Sequence, residues 1–299
     1  MCPPITSQLS VLAKVLIGKN SRNRAPKVDR KLVWRLLGRP LGIMAAVRVK
    51  GLLIDLDGTL YTNNGLIRGA REALKRLDSA GISYRYITNA THKPRREVAA
   101  HLKTLGLPVE KGKIFTPAIV VAEQLRAEGV SCHPLIEESL LEDLEGVQIC
   151  AEAPDYVLIG NLAQGFTYGR LNDALRHLMA GAQLIALIKN RYWQTAGGEL
   201  SLDAGPFVAA LEYASGRPAI GVGKPERAFF ELALRSLSLP PETVAMVGDD
   251  PELDLVGART AGLRGILVKT GRYQDGVRLP ICPDVVLESV AQLPEALDV

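Results

Sequence analysis

The stretch Val49–Tyr61, VKGLLIDLDGTLY, is an apolar run rich in β-formers that stops abruptly at two carboxylates, Asp55 and Asp57, followed by Gly58 and Thr59. Such a run, closed by a glycine turn, reads as a strand buried on both faces, which calls for a parallel sheet covered by helices on each side. The acids then fall at the strand's carboxyl end, where open α/β sheets bind their ligands. Residues two apart on an extended segment point the same way, so Asp55 and Asp57 face one crevice. Two carboxylates held together repel unless a cation lies between them or one keeps its proton. Taken alone, the stretch fits an Asp-Gly turn as well as a metal-assisted site.

The pattern recurs along the chain. Residues 65–81 place Ala70, Ala73, Leu74 and Leu77 at helical spacing, and ISYRYIT then runs as a strand into Thr88 and Asn89. A second helix enters near Pro94, carries Val98, Leu102 and Leu105, and ends at Gly106. A right-handed crossover makes the two strands parallel, so Thr88 lies at the same edge as the acids. Its hydroxyl there caps a helix or, with helix-start amides, holds an anion. About a hundred residues of alternating helix-like and strand-like segments follow, from Thr116 to Gly216. That is too long for a loop and reads as an inserted α/β domain lying over the crevice. The first sheet is expected to resume at AIGVGKP, which presents Lys224 just before the helix opened by Pro225. TVAMVGDD ends another strand in Asp249 and Asp250, with Asp254 beyond, and RGILVKT, PDVVLES and a terminal helix complete the sheet. The expected division is an extension over 1–43, a core built from 44–115 and 217–299, and an insertion over 116–216.

Charge and cysteine usage narrow the setting. The net charge of +4 hides a segment, residues 1–43, that carries +8, so the remainder is −4. An acidic body is not a nucleic-acid binder, and no apolar run approaches the ~20 residues that span a bilayer; neither nucleic acid nor membrane is expected as a partner. The basic arm fits a poorly ordered extension ahead of Met44, an organelle-targeting segment or a polyanion-binding arm. Cys2, Cys132, Cys150 and Cys282 form no C-x-x-C pair, which argues against a disulfide framework or a zinc site and for a reducing, cytoplasmic location.

Asp55 with Asp57, Thr88, Lys224, and Asp249 with Asp250 are the residue types that phosphoryl transfer needs. In this order and spacing, Asp55-Leu56-Asp57-Gly58-Thr59, Thr88, Gly223-Lys224-Pro225 and Gly248-Asp249-Asp250 with Asp254 resemble the four motifs of the haloacid dehalogenase superfamily, from Val47 to the end of the chain. The large insertion resembles that of its class IIA, NagD-like branch. The resemblance implies an α/β fold: a Rossmann-like parallel-sheet core with helices on both faces and a large inserted α/β cap. It implies a phosphatase that hydrolyses a phosphate ester, phosphoramidate or pyrophosphate, with Asp55 as nucleophile and Asp57 as acid and base. Thr88, Asn89 and Lys224 would bind the transferring group, and Mg²⁺ would be held by Asp55, Asp249 and the backbone carbonyl of Asp57. Asp250 and Asp254 would support from behind. After the strand AQLIALIK, Asn190, Arg191, Tyr192 and Trp193 fit pocket residues of the cap or an ordinary cap turn with packed aromatics. The substrate would be a small phosphorylated molecule or a phosphorylated side chain, and the family allows a homodimer formed cap to cap. The alternative is a non-catalytic or phospho-accepting regulatory protein of the same fold.

Overall fold

The computed structural model describes residues 49–194, 198–274, 276 and 278–299. The basic segment 1–43 and its expected independence from the body lie outside the described residues. Along the described chain run β1 (Gly51–Asp55), β2 (Tyr61–Thr62), β3 (Gly65–Leu66), α1 (Ala70–Ser79), β4 (Ser83–Ile87), α2 (Arg95–Thr104), β5 (Ile114–Phe115) and α3 (Pro117–Glu128). Next come β6 (Ser131–Leu135), β7 (Gln148–Ile149), β8 (Tyr156–Ile159), α4 (Tyr168–Ala180), β9 (Gln183–Ala186), β10 (Tyr192–Gln194), β11 (Leu200–Leu202), α5 (Gly205–Ser215) and β12 (Ile220–Gly221). The chain finishes with α6 (Arg227–Leu237), β13 (Val244–Gly248), α7 (Gly257–Thr260), β14 (Arg264–Val268), β15 (Val285–Leu287) and α8 (Leu293–Leu297).

The core is a parallel sheet of order β15-β14-β13-β1-β4-β5. Alternation along β1 decides which side each residue serves: Leu53 packs with α6 and α3, whereas Leu52 and Ile54 pack with α1 and α2 on the opposite face. Both faces are therefore apolar, and every residue of β1 is buried.

A second parallel sheet, of order β12-β9-β8-β6-β7, forms the inserted domain. One face packs under α4 and α5 through Leu135, Val157, Ile159 and Leu184. The other, through Cys132, Leu158 and Ile185, joins the same apolar cluster as Leu53, Phe229 and Phe230 of the core. Helix α3 lies in that cluster with Ala118, Val121, Ala122 and Leu125 buried, which explains why its apolar residues surround it instead of forming one stripe.

Two expectations need correction. AIGVGKP does not return the chain to the core sheet: Ile220 and Gly221 pair with Ile185 and Ala186 as the edge strand of the second sheet, and the core sheet resumes only at β13. A two-residue strand that includes Gly221 carries too little pattern to say which sheet it joins. The cysteine reading also fails at one position, since Cys282 is disulfide-bonded while Cys132 and Cys150 are free thiols. A disulfide outside any C-x-x-C pair leaves no spacing signature. Among the described residues, no helix is long and apolar enough to cross a membrane.

Candidate active site

The sheet order converts sequence separation into proximity. β4 and β13 flank β1, with Asp55 in register with Ile87 and Ile54 with Val247, so Thr88 and Asp249 lie one step beyond the strand ends on either side of Asp55. Asp55, Asp249 and Asp254 are all buried, and each offers a carboxylate oxygen within 4.8 Å of the others. Asp57 is exposed at the crevice two residues on, with the tight turn behind it closed by Gly58 N–H donating to Tyr61 O at 2.7 Å.

Lys224 is buried, and its ammonium is shared by two carboxylates: it contacts Asp55 Oδ1 and lies 2.6 Å from Asp254 Oδ1. Burial alone would lower its pKa, but Asp254 and Asp55 outweigh burial and hold it above the ordinary lysine value. Burial pushes Asp55 up to about 6 against the pull of Lys224, with Asp249 adding repulsion. Burial likewise pushes Asp249 up to about 6, opposed by the backbone N–H of Arg272. Asp254 is raised too, by burial, against Lys224. Three buried carboxylates around one ammonium leave an excess of negative charge, and every available donor is oxygen, so the set fits a hard divalent cation such as Mg²⁺.

The motif residues divide by task. The Asp254 oxygens are both engaged, Oδ1 by Lys224 and Oδ2 by Asp250 N–H at 3.1 Å, so this acid holds the lysine. Asp250 caps the following turn, its Oδ1 accepting Glu252 N–H at 2.9 Å and Leu253 N–H at 3.0 Å. Thr59 Oγ1 lies 3.4 Å from Asp55 Oδ2 and 3.5 Å from Asp249 Oδ1, so those two oxygens face each other across one hydroxyl. Thr88 is buried and accepts Ala90 N–H at 3.2 Å, which leaves its O–H to donate.

Asn89, expected at the substrate, also holds the Lys224 backbone. Its amide brackets the Lys224 backbone, Oδ1 accepting Lys224 N–H at 2.8 Å and Nδ2 donating to Lys224 O at 3.0 Å. Lys224 in turn follows an edge strand of the second sheet, and so comes to the core crevice from the linker and not from a core strand end. Asn190 and Arg191 lie between β9 and β10; the carbonyl of Asn190 accepts Gly205 N–H at 2.9 Å and that of Arg191 accepts Asp203 N–H at 3.3 Å. Arg191, Tyr192 and Trp193 are exposed.

Two features escape a reading of the sequence. His92, in the loop after Thr88, is held below the ordinary histidine value by desolvation and Lys93, while Asp203, just after β11 of the inserted domain, and Asp57 of the core both pull the other way. The second is Thr270–Arg272, whose backbone and hydroxyl bond to Asp249 and to the Asp57-Gly58 turn. A lone histidine and a Thr-Gly-Arg turn have no spacing that signals a site.

Residues 52–150 match the haloacid dehalogenase-like hydrolase family, and residues 221–293 match a second, HAD-hydrolase-like, family. The chain is 41% identical over 256 residues to haloacid dehalogenase-like hydrolase domain-containing protein 2 of Rattus norvegicus, a match covering 85% of this chain and 97% of that protein. It is 36% identical over 232 residues to phospholysine phosphohistidine inorganic pyrophosphate phosphatase of Danio rerio, covering 76% and 85%. Among solved structures, 4-nitrophenylphosphatase from Thermotoga maritima is similar with a TM-score of 0.78 and 27% identity, over 84% of this chain and 98% of that one.

Proposed function

Because the chain belongs to the haloacid dehalogenase-like hydrolases, we propose that it is a Mg²⁺-dependent phosphatase working through an aspartyl-phosphate on Asp55. The observation that carries this reading is the buried set Asp55, Asp249 and Asp254 gathered around Lys224, with Asp57 exposed beside it. Asp55 and Asp249, with the Asp57 carbonyl, would hold Mg²⁺, which supplies charge neutralisation and polarises a phosphoryl oxygen. Asp55 attacks phosphorus and the bond to the leaving oxygen or nitrogen breaks. Asp57 gives that atom its proton, then takes one from the water that attacks the phospho-aspartate, which frees inorganic phosphate and restores both carboxylates. The Lys224 ammonium and the Thr88 hydroxyl receive the phosphoryl oxygens, whose own charge makes them unwelcome in an acidic crevice without such donors. The substrate is a small phosphorylated molecule or a phosphorylated side chain, and its leaving group is chosen at the cap edge where Asn190 and Arg191 lie.

The test pairs the two aspartates. With 4-nitrophenyl phosphate, chelation abolishes turnover and Mg²⁺ restores it. Asp55→Asn yields no phospho-enzyme with an acyl phosphate, by intact-protein mass. Asp57→Asn loses about 10²–10⁴-fold in turnover and accumulates the adduct, because attack persists while hydrolysis stalls. A phosphate adduct on Asp55→Asn, or turnover indifferent to chelator, overturns the reading.

A further inference from the structure

We infer that Thr270, Gly271 and Arg272, which follow β14, form a latch that fixes the rotation of the Asp249 carboxylate; the inference rests on the metal site proposed above. The latch has three parts. Arg272 N–H donates to Asp249 Oδ2 at 2.6 Å, a short bond to a charged acceptor. Thr270 Oγ1 donates to Gly58 O at 2.5 Å, which ties the same loop to the turn carrying Asp57. Gly271 lies between, with φ +64, where a Cβ would overlap Asp249 Oδ2 and come within 2.5 Å of Gly58 Cα. Gly58, with φ +84, closes in from the other side, and a Cβ there would also overlap Asp249 Oδ2.

The carboxylate therefore sits in a slot between two glycine α-carbons. One oxygen is bonded into the slot. The other, Oδ1, is left facing Thr59 and Asp55. Such a device answers a physical need: without a cation, Asp249 is repelled by Asp55 and Asp254, and a side chain free to turn would swing out of the cluster. Holding it in place prepares the ligand before the metal arrives, and partners of this kind typically alter metal affinity by about 10–100-fold when removed. Thr270, Gly271 and Arg272 are positioning residues, since none of them is placed on the reacting atoms.

The experiment measures Mg²⁺ binding by titration calorimetry without substrate, alongside melting temperature in chelator. Gly271→Ala should bind Mg²⁺ about 10–100-fold more weakly than the unaltered chain. Thr270→Val should weaken binding, and Thr270→Ser, which keeps the hydroxyl, should bind within about twofold of the unaltered chain. At saturating Mg²⁺, Thr270→Val should recover its KM for a phosphate ester, as expected if the latch acts through the metal. Mg²⁺ affinity of Thr270→Val within about twofold of the unaltered chain would sink the latch, and so would an equal loss in Thr270→Ser. The Thr270 pair decides the matter even where Gly271→Ala fails to fold. An unaltered chain that hydrolyses phosphate yet binds no Mg²⁺ would instead overturn the metal site, and the latch with it.

Discussion

Asp55 and Asp249 are each raised to about 6 in the metal-free protein, chiefly by burial. A carboxyl whose folded pKa lies above its unfolded value binds more protons folded than unfolded between the two values. Its contribution to stability is then fully present below the unfolded pKa and is lost as pH rises through the folded one. Here that window runs from the ordinary aspartate value, 3.8, to about 6 and slightly beyond. A cation that binds only the folded, ionised site must act in the opposite sense. The increase in melting temperature produced by Mg²⁺ over chelator should therefore be small near pH 5 and grow through pH 6 to 7.5, as thermal unfolding in matched buffers would record. A Mg²⁺ increment independent of pH would mean that these carboxylates do not hold the ion.

Elements were legible in the sequence to the extent that one physical rule governed them. β1, β13 and β14 stand out because strands buried on both faces are nearly continuous apolar runs, β4 by its aromatic and β-branched residues, and α1 and α2 because each buries a single stripe. The motif acids follow, since a strand's end is as visible as its run. β6 hides: SCHPL has few β-formers and contains Pro134. β7 covers it only at Ser131 and Cys132, so the proline, which has no N–H to give, lies where β6 is a sheet edge. Contacts between elements were not legible, and the Asn89 bracket is one. It joins the end of β4 to the linker after β12, and nothing in the local sequence pairs the two. Asn89→Ala should free the Lys224 backbone. Two lost hydrogen bonds of about 1 kcal/mol each correspond to roughly 30-fold in kcat/KM for a small aryl phosphate. Unchanged kcat/KM would show that Lys224 needs no such support.

At the scale of the whole molecule, two parallel sheets share one apolar cluster, and Asp203, after β11, is held to the loop following β8 by Asn161 Nδ2 donating to its Oδ1 at 3.0 Å. Arg191 accepts Asp203 N–H through its carbonyl and so lies beside that loop. Replacing Arg191 with Ala should change discrimination among phosphorylated substrates more than hydrolysis of 4-nitrophenyl phosphate, in a panel of kcat/KM values. Equal losses on every substrate would place Arg191 away from the leaving group. The linker after β12 also has a mechanical meaning. Lys224 is fastened to the core by Asn89, while Gly221 is still paired in the second sheet, so on this side the fulcrum of any cap rotation is confined to Val222 and Gly223. A lever pivoted so near the ammonium sweeps a wide arc at the Arg191 end and almost none at the lysine. A cap turning about Val222 and Gly223 would reposition the leaving-group end, while the ammonium proposed to receive the phosphoryl oxygens would stay where Asn89 fastens it to the core.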